Sequence, residues 1–217
     1  MRLFPFLEPR RGIFWFISPF FYTKNEIPLQ LIETFLCSIM KNLYLCITFN
    51  RCPLMVDDKF LYNSVAMARY IIAYANENRY MINMTKLQKL LYITYGVYMA
   101  VKDERLINEH PQAWPYGPVF PTTRNKLLKK DFTTIKLTDA DLKEIADNPD
   151  MPSLMKLVFS SYGSKTAAFL SEWSHKPGSP WDKTVNQDSF KWGDRIPDEL
   201  IQSYFKSLIS PKPDAGA

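Results

Sequence analysis

"NMTKLQKLLYITYGVYMAVKD", residues 83–103, decides the class of fold. Leu87, Leu90, Leu91, Thr94, Val97, Tyr98 and Val101 recur at intervals of three and four, the period of a buried helix face. Thr85 and Gln88 form a T-x-x-Q capping box, which predicts a helix beginning at Lys86. Tyr92, Tyr95 and Tyr98 add an aromatic flank that reads as core packing. Gly96 costs a helix interior about 1 kcal/mol against Ala, which is understandable where a second helix must approach closely.

Outward from this stretch the pattern stays helical. Upstream, "DDKFLYNSVAMARYIIAYANEN" places Leu61, Val65, Ala68 and Ile72 on one stripe. Downstream, a helix is expected over about Thr122–Lys130, and Thr138 with Asp141 opens a short one through Ala146 that Pro149 ends. Pro152 suits the first turn of "PSLMKLVFSSYG", which Gly163 closes. "SKTAAFLSEWSH" follows with Ser164 as candidate cap, and "IPDELIQSYFKSLI" has Pro197, Asp198 and Glu199 in its first turn. "FTTIKLT" is the one β-branched run. The expected fold is all-α: a compact single-domain bundle of about six helices with little or no β-structure. There is no internal repeat and no low-complexity tract.

The chain has 217 residues, 47% hydrophobic and 15% aromatic, ample for one domain with a real core. Arg2, Arg10, Arg11, Lys24, Lys41 and Arg51 face only Glu8, Glu26 and Glu33 in residues 1–54, so a net +3 of the total +5 lies there. The body is therefore close to neutral, and no strong nucleic-acid footprint is expected. Lys126, Lys129 and Lys130 read as a solvated helix end, where cations suit the macrodipole. Cys37, Cys46 and Cys52 also fall in the first 54 residues, with no CxxC spacing and no nearby His pair. Neither a disulfide framework nor a metal site is indicated. The cysteine-free body fits the reducing cytoplasm.

Residues 1–54 are an atypical extension. The run "GIFWFISPFFY" after Arg10 and Arg11 is bulky, is broken by Pro19, and lacks the small-residue cleavage pattern of a signal peptide. A membrane helix needs about 20 apolar residues, and the best window, Leu29–Phe49, holds Gln30, Glu33, Lys41 and Asn42. No membrane span is expected. An amphipathic helix packed on the body is one reading; the favoured one is a mis-assigned start, with Met55 as the true one. The expected division is 1–54 extension, 55–210 helical domain and 211–217 flexible tail.

No catalytic motif emerges: no P-loop, GxGxxG, HExxH or GxSxG occurs. The acidic pairs Asp57/Asp58 and Asp139/Asp141 sit at predicted helix starts, where the macrodipole accounts for them. His175, in "SEWSHKPGSPWDKT" between Trp173 and Trp181, reads as a hydrogen-bonded residue locking a turn. A general-base role would need a nucleophile, an orienting partner and an oxyanion donor, and the sequence names none. "EHPQAWPYGPVFPTTRNKL", residues 109–127, concentrates prolines beside Trp114 and Tyr116. Pro115 and Pro118 fix φ, and Gly117 permits a turn between them. Trp114 reads as a plug of the domain's own core. Tyr116 is read equally as core or as a rigid interface anchor.

Taken together, "KLQKLLY" at Lys86–Tyr92, "AWPYGPVFP" at Ala113–Pro121, and His175 before Pro180 and Trp181 resemble the Panacea domain, a phage-associated family that includes SocA-like antitoxins. The match covers about Phe60 to Phe205, and the aromatic–Gly–Pro element is its most specific part. Two departures are visible: Ser174 stands where members often carry Thr, and "KPGS" follows His175 where members often carry an acidic residue.

The resemblance implies an all-α, non-enzymatic, cytoplasmic antitoxin without a cofactor. Such a protein binds a toxin encoded by a neighbouring gene; the family's toxins are unrelated to one another and include small-alarmone-synthetase-like enzymes. One branch of the family delivers its toxin to a protease as an adaptor. The residues that carry the signature, and are expected to serve folding or partner binding rather than catalysis, are Lys86, Lys89, Trp114, Tyr116, Gly117, Pro118, His175 and Trp181. A His175-centred enzyme and a DNA-binding autoregulator are the rival readings.

Overall fold

A computed structural model describes residues 60–210. The extension, its cysteines, the Asp57/Asp58 pair and the tail lie outside the described residues. The chain opens with strand β1 (Phe60–Tyr62), followed by helices α1 (Ser64–Glu77) and α2 (Met84–Lys102). Three short strands come next: β2 (Arg105–Ile107), β3 (Gln112–Trp114) and β4 (Gly117–Val119). Helices α3 (Pro121–Leu127), α4 (Lys143–Ala146), α5 (Met151–Val158), α6 (Ala167–Ser174), α7 (Pro180–Val185) and α8 (Asp198–Ile209) complete the chain.

α2 is the axis of the molecule. Every residue from Lys86 to Ala100 is buried, because α1, α5, α6 and α8 all pack around it. A helix covered on all sides needs no polar face, so its tyrosines belong to the core: Tyr92 and Tyr95 are fully buried. Gly96 is the point where α8 comes closest, with the Phe205 ring in the space a Cβ would occupy.

The start of α2 differs from the expected box. Asn83, not Thr85, is the cap: its side chain accepts from Lys86 N at 2.9 Å, and the helix begins at Met84. Gln88 faces the interior, where its Oε1 accepts from Phe120 N at 2.7 Å. Likewise Thr166, not Ser164, caps α6. Leu61 belongs to β1, so the buried face of α1 is made by Met67, Ala68, Tyr70, Ile71, Ile72 and Ala75.

The mainly helical expectation holds, and two small sheets correct its all-α form. β1 pairs with β2 in parallel, and β3 pairs with β4 as an antiparallel hairpin. Segments of three residues are too short to show a period of two. "FTTIKLT" is not a strand: Asp131 accepts from Thr133 N and Oγ1 and winds Phe132–Thr134 into a 3₁₀ turn. The bundle has eight α-helices among the described residues rather than about six. α4 is the end of the short helix expected through Ala146, and α7, which begins at Pro180 inside what reads as a turn, is the helix that was not expected. Asp139 and Asp141 both pair with Arg69 of α1, so tertiary contacts as well as the dipole fix them.

Candidate functional site: the groove beside the aromatic hairpin

The stiff aromatic stretch is a hairpin with Pro115 and Tyr116 as its two turn residues, since Trp114 pairs with Gly117. Glu109 fastens its base, accepting from Thr122 N at 2.5 Å and Thr123 N at 3.2 Å. That carboxylate caps α3 from outside the helix, whose own cap position, Phe120, has no side-chain acceptor. On the other edge, Ala113 N donates to Asp194 O at 2.8 Å and Gly193 N to Ala113 O at 2.9 Å. The hairpin is thus held from both sides and presents its tip outward.

The signature residues divide into those that shape the hairpin and those that face the groove. Trp181 Nε1 donates to Trp114 O at 2.9 Å, locking α7 to β3. His175 lies against Trp181, with ring centroids 4.1 Å apart. Its Nε2 makes no hydrogen bond among the described residues. Burial first, then the nearby Lys89 charge, pushes the imidazole below its usual range. His175 is therefore a packed, neutral ring lying against the Trp181 face. Lys86 Nζ donates to Gly163 O at 2.6 Å, closing the π-helical turn Phe159–Gly163, and burial lowers its pKa.

Lys89 is the unusual member. It is 2% exposed, and Nζ donates to Pro118 O at 2.9 Å. No carboxylate pairs with it among the described residues, and burial pushes the amine down to about 7. Gly117 makes room for it. At φ +94° that residue favours glycine, and a Cβ there would stand 2.5 Å from Ser174 Oγ and 2.6 Å from Lys89 Nζ.

Lys89 borders an open groove of about 610 Å³. Trp114, Tyr116, Val119 and Leu128 supply apolar walls, and Arg124 reaches in from α3. Trp114 is half-buried rather than a core plug: its Nε1 donates to Gln112 Oε1 at 3.1 Å, and the Arg124 guanidinium lies 5.7 Å from its ring centroid. Tyr116 is 78% exposed, so its ring plugs nothing. Sequence reading missed Arg124, because nothing in "PTTRNKL" sets it apart from a surface cation. Among the described residues no group of His, Cys, Asp and Glu side chains is placed to hold a metal, and no helix is long and apolar enough to cross a membrane.

The hairpin, Gln88 and Lys89 of α2 and the His175–Trp181 contact fall in residues 87–182, which match the family model described as antitoxin SocA-like, Panacea domain. Over that stretch the chain resembles the Panacea family. Its matched part begins in α2 and ends in α7, so the family pattern coincides with the elements that build the groove and leaves out α1 and α8. The chain is also 28% identical over 184 residues to antitoxin SocA of Caulobacter vibrioides (strain NA1000 / CB15N), covering 76% of this chain and 95% of that protein. No solved structure matches it.

The buried amine of Lys89 has a measurable consequence for stability. The unfolded chain keeps the Lys89 proton up to a pH near its model value of 10.5, whereas the folded chain gives it up at about 7. Between these values the unfolded state binds more protons, so stability rises with pH through this window, and the penalty is complete below it. The raised pKa values of Tyr92, Tyr95 and Tyr98 reverse the trend above about 10, where unfolded tyrosines ionise first. Lys89→Met is expected to raise unfolding free energy at pH 7 by roughly 1–3 kcal/mol. It should also flatten the climb between pH 7 and 9, read by urea unfolding at each pH; an unchanged slope would contradict the assignment.

Proposed function

We propose that this protein is an antitoxin that neutralises a toxin encoded by a neighbouring gene through direct protein–protein binding, without catalysis of its own, in the cytoplasm. The observation that carries the reading is the match of residues 87–182 to the antitoxin SocA-like Panacea model, joined to the similarity to antitoxin SocA along most of the chain. The site's chemistry is consistent with it. His175 packs on Trp181, with no hydrogen-bonded partner on Nε2 among the described residues. The exposed aromatic hairpin suits recognition, because rigid aromatics lose little entropy on binding.

Co-expression of the full chain with the product of the adjacent gene tests this. A stable complex with the toxin intact is the expected result. Loss of the toxin, restored when host proteases are inactivated, would instead mark the adaptor mode. Absence of a complex with undiminished toxin activity would overturn the proposal.

A further inference from the structure

We propose that the groove between α2 and the β3–β4 hairpin is the surface that takes the partner, and that its occupant is an extended acidic segment of the toxin. One carboxylate of that segment bonds to Lys89 and Arg124, and an adjoining apolar side chain lies on Trp114 and Tyr116. This inference rests on the antitoxin reading.

Charge complementarity is the main argument. Two cations border the groove, and neither has an acidic partner among the described residues. Lys89 Nζ donates to Pro118 O, and its protonated form, which an arriving carboxylate favours, has two further donors. Arg124 only overlies the Trp114 ring. Other partly buried cations are paired: Lys102 with Asp150 at 2.7 Å and Arg69 with two aspartates.

A buried amine without a counter-charge opposes folding, and an apolar residue at position 89 would fill a bundle interior at less cost. What the lysine offers in exchange is a desolvated donor at the edge of an open groove. A carboxylate arriving there forms a charge-assisted bond in a low-dielectric setting. Gly117 keeps the approach to the amine clear, since a side chain there would collide with Nζ. The rest of the groove is mainly apolar, with Thr85, Gln88 and Ser171 also in its lining, and its volume of about 610 Å³ is in the range that accepts a few side chains. Apolar walls around isolated cations suit a peptide; a phosphodiester backbone would ask for a row of cations.

The test combines growth rescue with binding to the toxin product of the adjacent gene, using full-length Lys89→Met, Arg124→Gln and Tyr116→Ala, with Lys183→Gln on α7 as a control. Lys89→Met and Arg124→Gln should each weaken binding about 10–100-fold, while Lys183→Gln stays within about twofold. Overlapping peptides from the toxin should reveal a binder containing Asp or Glu. Its amide-substituted version should lose binding to the wild-type protein. If Lys89→Met fails to fold, the surface variants Arg124→Gln and Tyr116→Ala decide. Rescue by the wild type together with undiminished binding by the variants would overturn the groove assignment and leave the antitoxin reading standing. Failure of the wild type to rescue any neighbouring toxin would remove both. Tight, salt-sensitive binding of duplex DNA that the groove variants abolish would also overturn it.

Discussion

Gly96→Ala is expected to destabilise the domain by about 2–3 kcal/mol, even though Ala is the better helix former by roughly 1 kcal/mol. A Cβ at position 96 would stand 2.2 Å from Phe205 Cε2, 2.3 Å from Cδ2 and 2.7 Å from Cζ. The ring has nowhere to go. Phe205 is completely buried, with Tyr92, Trp173 and Tyr204 rings at centroid distances of 5.7, 6.0 and 5.7 Å. Accommodation requires α8 to move off α2, and that contact is the largest seam in the bundle. The loss should appear as a fall in melting temperature of about 5–10 °C. A double-mutant cycle sharpens the test: in a Phe205→Leu background most of the Ala penalty should vanish. Strict additivity would mean that Gly96 does not serve helix approach.

Asp198→Ala is the second large effect, with an expected cost of about 3–4 kcal/mol. Asp198 opens α8, where a carboxylate complements the helix dipole. Its greater role is tertiary. The side chain, 15% exposed, accepts from Tyr95 Oη at 2.7 Å and Arg195 Nη2 at 2.6 Å. Arg105 Nε at 3.9 Å and His110 Nδ1 at 3.3 Å complete the surround. Burial outweighs the pull of Asp198 and lowers the His110 pKa, so that ring is neutral at pH 7. Removing the carboxylate takes from the Tyr95 hydroxyl its acceptor and leaves two guanidinium groups without their shared counter-charge. Asp198→Asn keeps the shape and an acceptor for Tyr95, and should cost roughly half as much. Equilibrium unfolding of the two variants checks the order; equal, small losses would show that the cluster is merely a surface feature.

These two sites show what could be read from the sequence and what could not. The three-and-four spacing of Leu87, Leu90, Leu91 and Val97 marked the central helix, and Gly96 pointed to a close helix contact, because both signals are local. The Tyr92–Tyr95–Tyr98 flank resolved into core for the same reason. Long-range pairings left no such trace. Glu109 caps α3, Asn83 displaces Thr85 as the cap of α2, and Asp198 gathers partners from α2, β2 and the loop after it. Each depends on which backbone groups the fold brings near, and spacing along the chain does not encode that. The strands were missed because three-residue ladders are set by their partners. Lys89 lies off the apolar stripe, and only the enclosure of α2 on every side buries it. The hairpin was legible as a rigid aromatic unit, but the outward placement of Tyr116 and the arrival of Arg124 over Trp114 came from tertiary structure.

The proposed antitoxin function rests on the family match of residues 87–182, within which lie the exposed aromatic hairpin and a buried amine with no carboxylate partner among the described residues. Growth rescue is its most direct measurement. The adjacent gene is expressed inducibly in cells with and without the full chain. Arrested growth with the neighbour alone, and recovery when this protein is present, is the predicted result. A toxic neighbour whose arrest this protein leaves unchanged would contradict the central claim.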